Sequence, residues 1–347
     1  MKNVRFFKTL TAGFALTLVI CSQVLASTVK PCGQETGDIT SGTSANCWQC
    51  GGTCYARLSD GKMTIAGSGS MYDYSSEKVN GAWASTAPWR NAMSKIKSVE
   101  IGDEITSVGN RTFLSAMNLE SVKIGSSVET IGSASFYMDG VYKDVVKLNN
   151  ITIPASVTEI KDQAFAGARA LSSVNFESNE ILESIGYRAF EYANLSSINI
   201  PDSVESIGYG AFWSNYNLTN IHLPASLTSL GDKVFEYANL ETLEFPEGIT
   251  YIPDRTCAYC SNLKKVVVKG DNISIYYNAF NGTGVTDVES SETVKNILLS
   301  YFSSQLGRNV TWTEYFEQKP KRLYYTPAEA AAHVNHSNHN RVIFTFK

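Results

Sequence analysis

The sequence predicts a repeat solenoid: short β-strands joined by turns or short helical segments, one coil per repeat, stacked along an axis and closed by caps. The first observation is recurrence. Leu195-Ser-Ser-Ile-Asn-Ile-Pro-Asp-Ser-Val-Glu-Ser-Ile-Gly-Tyr-Gly-Ala-Phe212 returns at Leu218 to Phe235, at Leu148 to Phe165, and at Leu171 to Phe190 with two extra residues. Weaker copies run Ile96 to Phe113, Leu119 to Phe136, Leu240 to Cys257 and Leu263 to Phe280, which makes eight units. The second observation is spacing: the closing positions 113, 136, 165, 190, 212, 235, 257 and 280 lie 22 to 29 residues apart. The third is size. A unit this short cannot cover its own apolar face, so neighbours must stack and the ends must be capped.

Each column of the repeat has a physical role. Leu-x-x-Val-x-Ile ends in a period-two alternation, the mark of a short strand with one buried face. Pro154, Pro201, Pro224 and Pro246 stop that strand and turn the chain. Ser-Val-x-x-Ile supplies a second extended segment. Gly109, Gly132, Gly186, Gly208 and Gly231 are expected to permit a backbone turn. The x-x-Ala-Phe that follows sends a ring into the core. Three residues further on, Ala116, Ala168, Ala193, Ala238 and Cys260 form a small-residue column where coils should crowd. The one long interval, 136 to 165, holds the polar insertion Asp139-Gly-Val-Tyr-Lys-Asp144, read as a surface loop.

This pattern resembles the BspA-type leucine-rich repeat of bacterial and protist surface proteins. The resemblance covers residues 96–283. It implies a right-handed leucine-rich-repeat solenoid and a role in adhesion or host-protein binding, with no catalytic motif to carry over. Leu58 to Tyr74 and Ala87-Pro-Trp89 are similar to the lead-in that precedes such arrays, and Asp60-Gly61 between alternating apolar residues is a hairpin signal on its own account.

Residues 1–26 read as a signal peptide. Lys2, Arg5 and Lys8 precede an apolar run, Leu10 to Ile20, too short to span a bilayer; Val24-Leu25-Ala26 then suits cleavage before Ser27. A lipoprotein cleavage before Cys21 is disfavoured by bulky Ile20. The mature chain is expected to be secreted or held at the cell surface, with no integral membrane segment after signal cleavage. Residues 27–95 form an N-terminal cap containing Cys32, Cys47, Cys50 and Cys54. In an oxidising compartment these are disulfide candidates, although their spacing also permits a zinc site and the pairing is not readable from sequence. Cys257-Ala-Tyr-Cys260 has a redox-motif spacing, but Cys257 takes the repeat's core Phe position and Cys260 its small-residue position. Both are read as buried structural sulfurs. Residues 284–318 form a C-terminal cap with a helix over Glu292 to Gln305, and 319–347 a small strand–helix–strand module in which Thr326 and Glu329 make a capping box.

The charge balance excludes a nucleic-acid footprint: 29 basic against 33 acidic residues give a formal net charge of −4. Lys319-Pro-Lys-Arg322 is a solvated linker. No nucleophile elbow, phosphate loop or dinucleotide fingerprint is present, so neither an enzyme nor a cofactor is expected. His333, His336 and His339 have no acidic residue or cysteine close in sequence to complete a metal set. The Asn-x-Ser/Thr triplets at Asn194, Asn217 and elsewhere are read as silent.

Two surfaces remain. The outward strand columns, such as Ser173/Asn175, Ser197/Asn199 and Asn220/His222, are small, polar and nearly uncharged. On the turn edge of repeats four to seven, aromatic residues gather: Tyr187, Tyr209 and Tyr277 share one column, and Tyr192, Tyr237 and Tyr259 another, with Trp213 and Tyr216 beside them. Rigid amphipathic rings make good anchors for proteins and sugars; the competing reading is an aromatic ladder that only packs coils together. The candidate binding residues are therefore Tyr187, Tyr192, Tyr209, Trp213, Tyr237 and Tyr259. The expected function is binding of an extracellular protein or glycan, the alternative a self-associating structural surface protein without a specific ligand.

Overall fold

The computed structural model describes residues 46–138, 146–178, 180–307 and 310–314. The leader, Cys32, the 139–144 insertion and the 319–347 module with its three histidines lie outside the described residues.

The chain forms a β-solenoid. Each repeat contributes one strand to each of two parallel faces. The first strands pair coil to coil, Asn150–Ile153 on Ser173–Phe176, Ser197–Asn199 on Asn220–His222, and Thr242–Phe245 on Lys265–Val268. Their alternation buries Ile151 and Ile153 and exposes Asn150 and Thr152. The second strands are two residues long and run as a continuous ladder from Thr130–Ile131 through Glu159–Ile160, Ser184–Ile185 and Ser206–Ile207 to Ser229–Leu230. Between them the proline opens a turn. The carbonyls of Pro154, Pro201, Pro224 and Pro246 each accept the N–H three residues on, at 3.1 to 3.2 Å.

The return segment holds no strand, yet it is the most regular part of the coil. In most repeats two positions have positive φ; the second repeat lacks the later one, at Met138, and the eighth the earlier one, at Asn278. One lies two residues after the glycine column (Arg111, Ala134, Gln163, Arg188, Gly210, Lys233, Arg255), the other two after the Phe column (Ser115, Gly167, Tyr192, Ser214, Tyr237, Tyr259, Gly282). Alternating the handedness turns alternate N–H groups along the solenoid axis. Arg188, Phe190 and Tyr192 donate to the carbonyls of Tyr209, Ala211 and Trp213 in the next coil at 2.8, 2.8 and 2.9 Å. The N–H groups between them, on Ala189, Glu191 and Ala193, close turns onto Gly186, Arg188 and Phe190. All six donors are thereby satisfied, which buried backbone requires.

The glycine column has a different cause from the one expected. A Cβ on Gly186 or Gly208 would stand 2.7 Å from backbone atoms of the preceding coil, while neither residue has a positive φ. Glycine is needed there for the close approach of two chains. The left-handed conformation falls two residues later, mostly on residues with side chains.

The core follows the rings. Trp89, Phe113, Phe136, Phe165, Phe190, Phe212 and Phe235 form a continuous ladder with centroids 5.3 to 6.1 Å apart. The N-terminal cap starts it: Trp89 donates through Nε1 to the Thr112 carbonyl, and Trp48 and Tyr74 pack on its other sides. Strand Lys62–Met71 docks the cap, pairing with Ser98–Ile101 and with Ile105–Val108, so one strand begins both faces. Its hairpin with Gly51–Ser59 turns at Asp60 and Gly61, both of positive φ, as a two-residue loop of Asp-Gly composition should. At Cys257 the ladder lacks a ring, and Phe245 from the first strand of that repeat lies edge-on to Phe280 at 6.2 Å.

Helix Glu292–Leu306 covers the far end with Val294, Leu298, Tyr301 and Phe302, leaving Ile297 exposed. The Tyr301 hydroxyl accepts from the Phe280 N–H and donates to the Tyr277 carbonyl, satisfying a donor that in other repeats bonds to the next coil. Burial pushes this phenol up to about 12. Beyond residue 283 the first-strand face continues through Asp287–Ser290 and Thr311–Glu314.

Candidate functional site

The return segment of repeats four to seven brings the sequence-predicted aromatic residues together in two groups. In the first, Tyr187 stacks on Tyr209 at 5.2 Å, and Tyr192 meets Trp213 at 6.0 Å. In the second, Tyr216, Tyr237 and Tyr259 run in a row, with centroids 6.3 and then 4.9 Å apart. Tyr277 is not joined to either row by a ring contact and packs on Tyr276. The two readings of these rings are compatible: they stack coil on coil, and Tyr187, Tyr216, Tyr237 and Tyr259 remain 38 to 56 % exposed.

Cations that sequence reasoning did not single out join the first group. The Arg188 guanidinium lies 5.0 Å from the Tyr187 ring, 5.5 Å from Tyr209 and 4.8 Å from Trp213. Lys233 approaches Tyr209 and Trp213 at 5.4 and 5.3 Å, and Arg169 approaches Tyr192 at 4.7 Å. Such contacts orient the cation on the negative ring face and add modestly to its anchoring. The signal that could have found Arg188 and Lys233 is register: both occupy the column two after the glycine.

Two carboxylates lie beneath the rings. Glu191 faces Arg188 at 3.7 Å, and Glu236, 1 % exposed, faces Arg255 at 3.3 Å. Burial raises the pKa of both, and outweighs the neighbouring cations that favour the charged form. One Glu236 oxygen, the Ser214 hydroxyl and the Trp213 indole N–H have no hydrogen-bond partner. The edge thus combines exposed phenols, oriented cations and buried polar groups.

Backbone conformation adds a further observation. Tyr192, Tyr237 and Tyr259 have φ of 53°, 65° and 61°, in a column that Gly167 and Gly282 also occupy. A bulky residue held in this region costs about 1–2 kcal/mol, although the conformation itself belongs to the repeat, since Ser115 and Ser214 share it.

The strand face differs. Ser173, Asn175, Ser197, Asn199, Asn220 and His222 are exposed. Ion pairs flank them, Glu100 with Lys62 and Lys123 on one side, and Glu244 with Lys269 on the other. Among the described residues, no three His, Cys, Asp or Glu side chains converge as a metal site. No helix there is long and apolar enough to cross a membrane. Cys257 and Cys260 are buried free thiols in the core positions expected from register.

A family model for the BspA type leucine rich repeat region matches in six copies, over residues 91–216, 138–237 and 183–311. The chain belongs to this family. A search of curated protein sequences found no match. Among solved structures, a leucine-rich repeat protein from Bacteroides ovatus is 19 % identical with a TM-score of 0.46, covering 76 % of this chain and 75 % of that one. A leucine rich cell surface protein from Faecalibacterium prausnitzii is 18 % identical with a TM-score of 0.31, covering 77 % and 94 %. The pneumococcal vaccine antigen PcpA is 14 % identical with a TM-score of 0.26, covering 77 % and 98 %.

Proposed function

We propose that this BspA-type protein is exported and binds an extracellular protein or glycan through the turn edge of repeats four to seven. The apolar leader at residues 10–20 with its basic flank supports export. The observation that carries the binding surface is the combination, at Tyr237 and Tyr259, of positive φ with exposures of 38 % and 40 %. Glycine would hold the backbone there without strain, so the rings stand for what they present outward.

The test is replacement of both tyrosines by glycine, Tyr237→Gly and Tyr259→Gly. Glycine removes the rings and relieves the backbone, so the melting temperature should move little. Immobilised matrix proteins and a glycan array are probed with the wild-type mature chain, and any ligand retained is titrated against the variant. An affinity loss of tenfold or more at unchanged stability supports the edge as contact. Undiminished affinity moves the contact to the strand face around Asn175, Asn199 and His222 or to the C-terminal module. Concentration-dependent growth on size exclusion, with no ligand retained, favours the self-associating structural role.

A further inference from the structure

The N-terminal cap contains a second feature that the turn edge does not explain. Cys50 and Cys54 are both buried, at 0 % and 1 % exposure, and their Sγ atoms lie 3.6 Å apart. They close a tight loop, Gly51-Gly52-Thr53, where the register of strand Gly51–Ser59 against Lys62–Met71 shifts. The Cys50 N–H donates to the Cys54 carbonyl at 3.1 Å, and the Cys50 carbonyl accepts from Tyr72 at 2.6 Å. Gly51 has no room for a side chain: a Cβ there would collide with the Cys54 sulfur and the Ser70 carbonyl. The loop is therefore shaped around the two sulfurs. Cys47, three residues earlier, is disulfide-bonded, whereas Cys50 and Cys54 are thiols.

We infer that Cys50 and Cys54 form a disulfide with each other in the exported protein. Bonded sulfurs stand about 2.05 Å apart, so side-chain rotation over the observed gap suffices, without a change of partner strand. Cys54, as a thiolate, attacks one sulfur of an oxidising disulfide, R–S–S–R, and expels the first RS⁻. Cys50 then loses its proton, attacks the Cys54 sulfur of the mixed disulfide and expels the second RS⁻. Two cysteine thiols become one disulfide, the oxidant becomes two thiols, and the two protons pass to the expelled thiolates. Burial of both sulfurs places this exchange before the cap closes over them. The bond would lock the bulge that positions strand Lys62–Met71, on which both solenoid faces begin.

The sequence allows a direct test. Chymotrypsin cleaves after aromatic residues, and Trp48 and Tyr55 bracket the peptide Gln49–Tyr55, which contains Cys50 and Cys54 and no other cysteine. The chain is secreted without reductant, denatured with N-ethylmaleimide to block free thiols, digested near neutral pH once the thiols are blocked, and weighed by mass spectrometry. The expected product is an unlinked Gln49–Tyr55 peptide two hydrogens lighter than the dithiol, which gains two alkyl groups only after reduction. N-ethylmaleimide on both cysteines would overturn the proposal. So would a Gln49–Tyr55 peptide cross-linked to the one carrying Cys32 and Cys47.

Discussion

Two aromatic columns run side by side through this molecule and obey opposite rules. In the Phe column, Phe190 and Phe212 stack at 5.6 Å with both rings fully buried. In the Tyr column, Tyr237 and Tyr259 stack at 4.9 Å but keep 38 % and 40 % of their surface in water. A fully buried Phe stabilises by about 1.5–3 kcal/mol through transfer from water. A tyrosine with positive φ gives up about 1–2 kcal/mol to its backbone and recovers about 0.5–1.5 kcal/mol from a stacked neighbour. The first column therefore holds the solenoid together. The second contributes less to stability than the first and still carries large rings, as the proposed contact surface requires.

The largest test of this contrast is Phe212→Ala. Removing a ring from the middle of the ladder should cost roughly 3–5 kcal/mol and lower the melting temperature by on the order of 10 °C for an array of this size. Tyr259→Ala, whose ring stacks even closer at 4.9 Å, should cost under about 1 kcal/mol. Equal losses in the two melting curves would show that the exposed column is packing after all.

A smaller effect separates the polar core from the apolar one. Asn215 stands in the column where other repeats place Ala168, Ala193 and Ala238, yet it is fully buried. Its amide donates to the carbonyls of Phe190 and Phe212 at 2.8 and 3.0 Å and accepts from the Leu195 N–H at 3.2 Å. Asn215→Ala should cost about 1–3 kcal/mol, less than the Phe variant and more than the Tyr variant, as read by urea denaturation. A loss below that of Tyr259→Ala would mean that the neighbouring coils take over these bonds.

The legible parts of the fold were those whose cause lies within one repeat. Period-two alternation marked the first strands, and the proline and Phe columns marked the turn and the core. The glycine column was visible, but its cause was not, because the atom that excludes a side chain at Gly208 belongs to a coil one repeat away. Positive φ at Arg188, Gln163 or Tyr237 left no trace, since those residue types do not signal it. The Asn-x-Ser/Thr triplets at Asn194 and Asn217 have a structural use: the Asn217 amide donates to Asn194 at 2.6 Å, and Asn262 to Asn239 at the same distance. Of the candidate site, the rings were readable by register. Register also puts Arg188 and Lys233 in one column but does not fix their place over the rings, because that depends on how coils superpose.

The finest test uses the sign of a difference. At each column, compare the alanine variant with the glycine variant, so that the lost ring is common to both and only the backbone differs. Phe190 has no positive φ, and there glycine should be the less stable by about 0.5–1 kcal/mol, the ordinary cost of its extra freedom in the unfolded chain. Tyr237 has φ of 65°, where alanine keeps the steric penalty and glycine does not. Glycine should therefore be the more stable of that pair, with the relief of about 1–2 kcal/mol exceeding the entropy it forfeits. The order of melting temperatures should invert between the two columns: Phe190→Ala above Phe190→Gly, and Tyr237→Gly above Tyr237→Ala. If alanine is the better substitute at both positions, the left-handed conformation of the tyrosine column is not strained, and the stability argument for a contact role at Tyr237 falls with it.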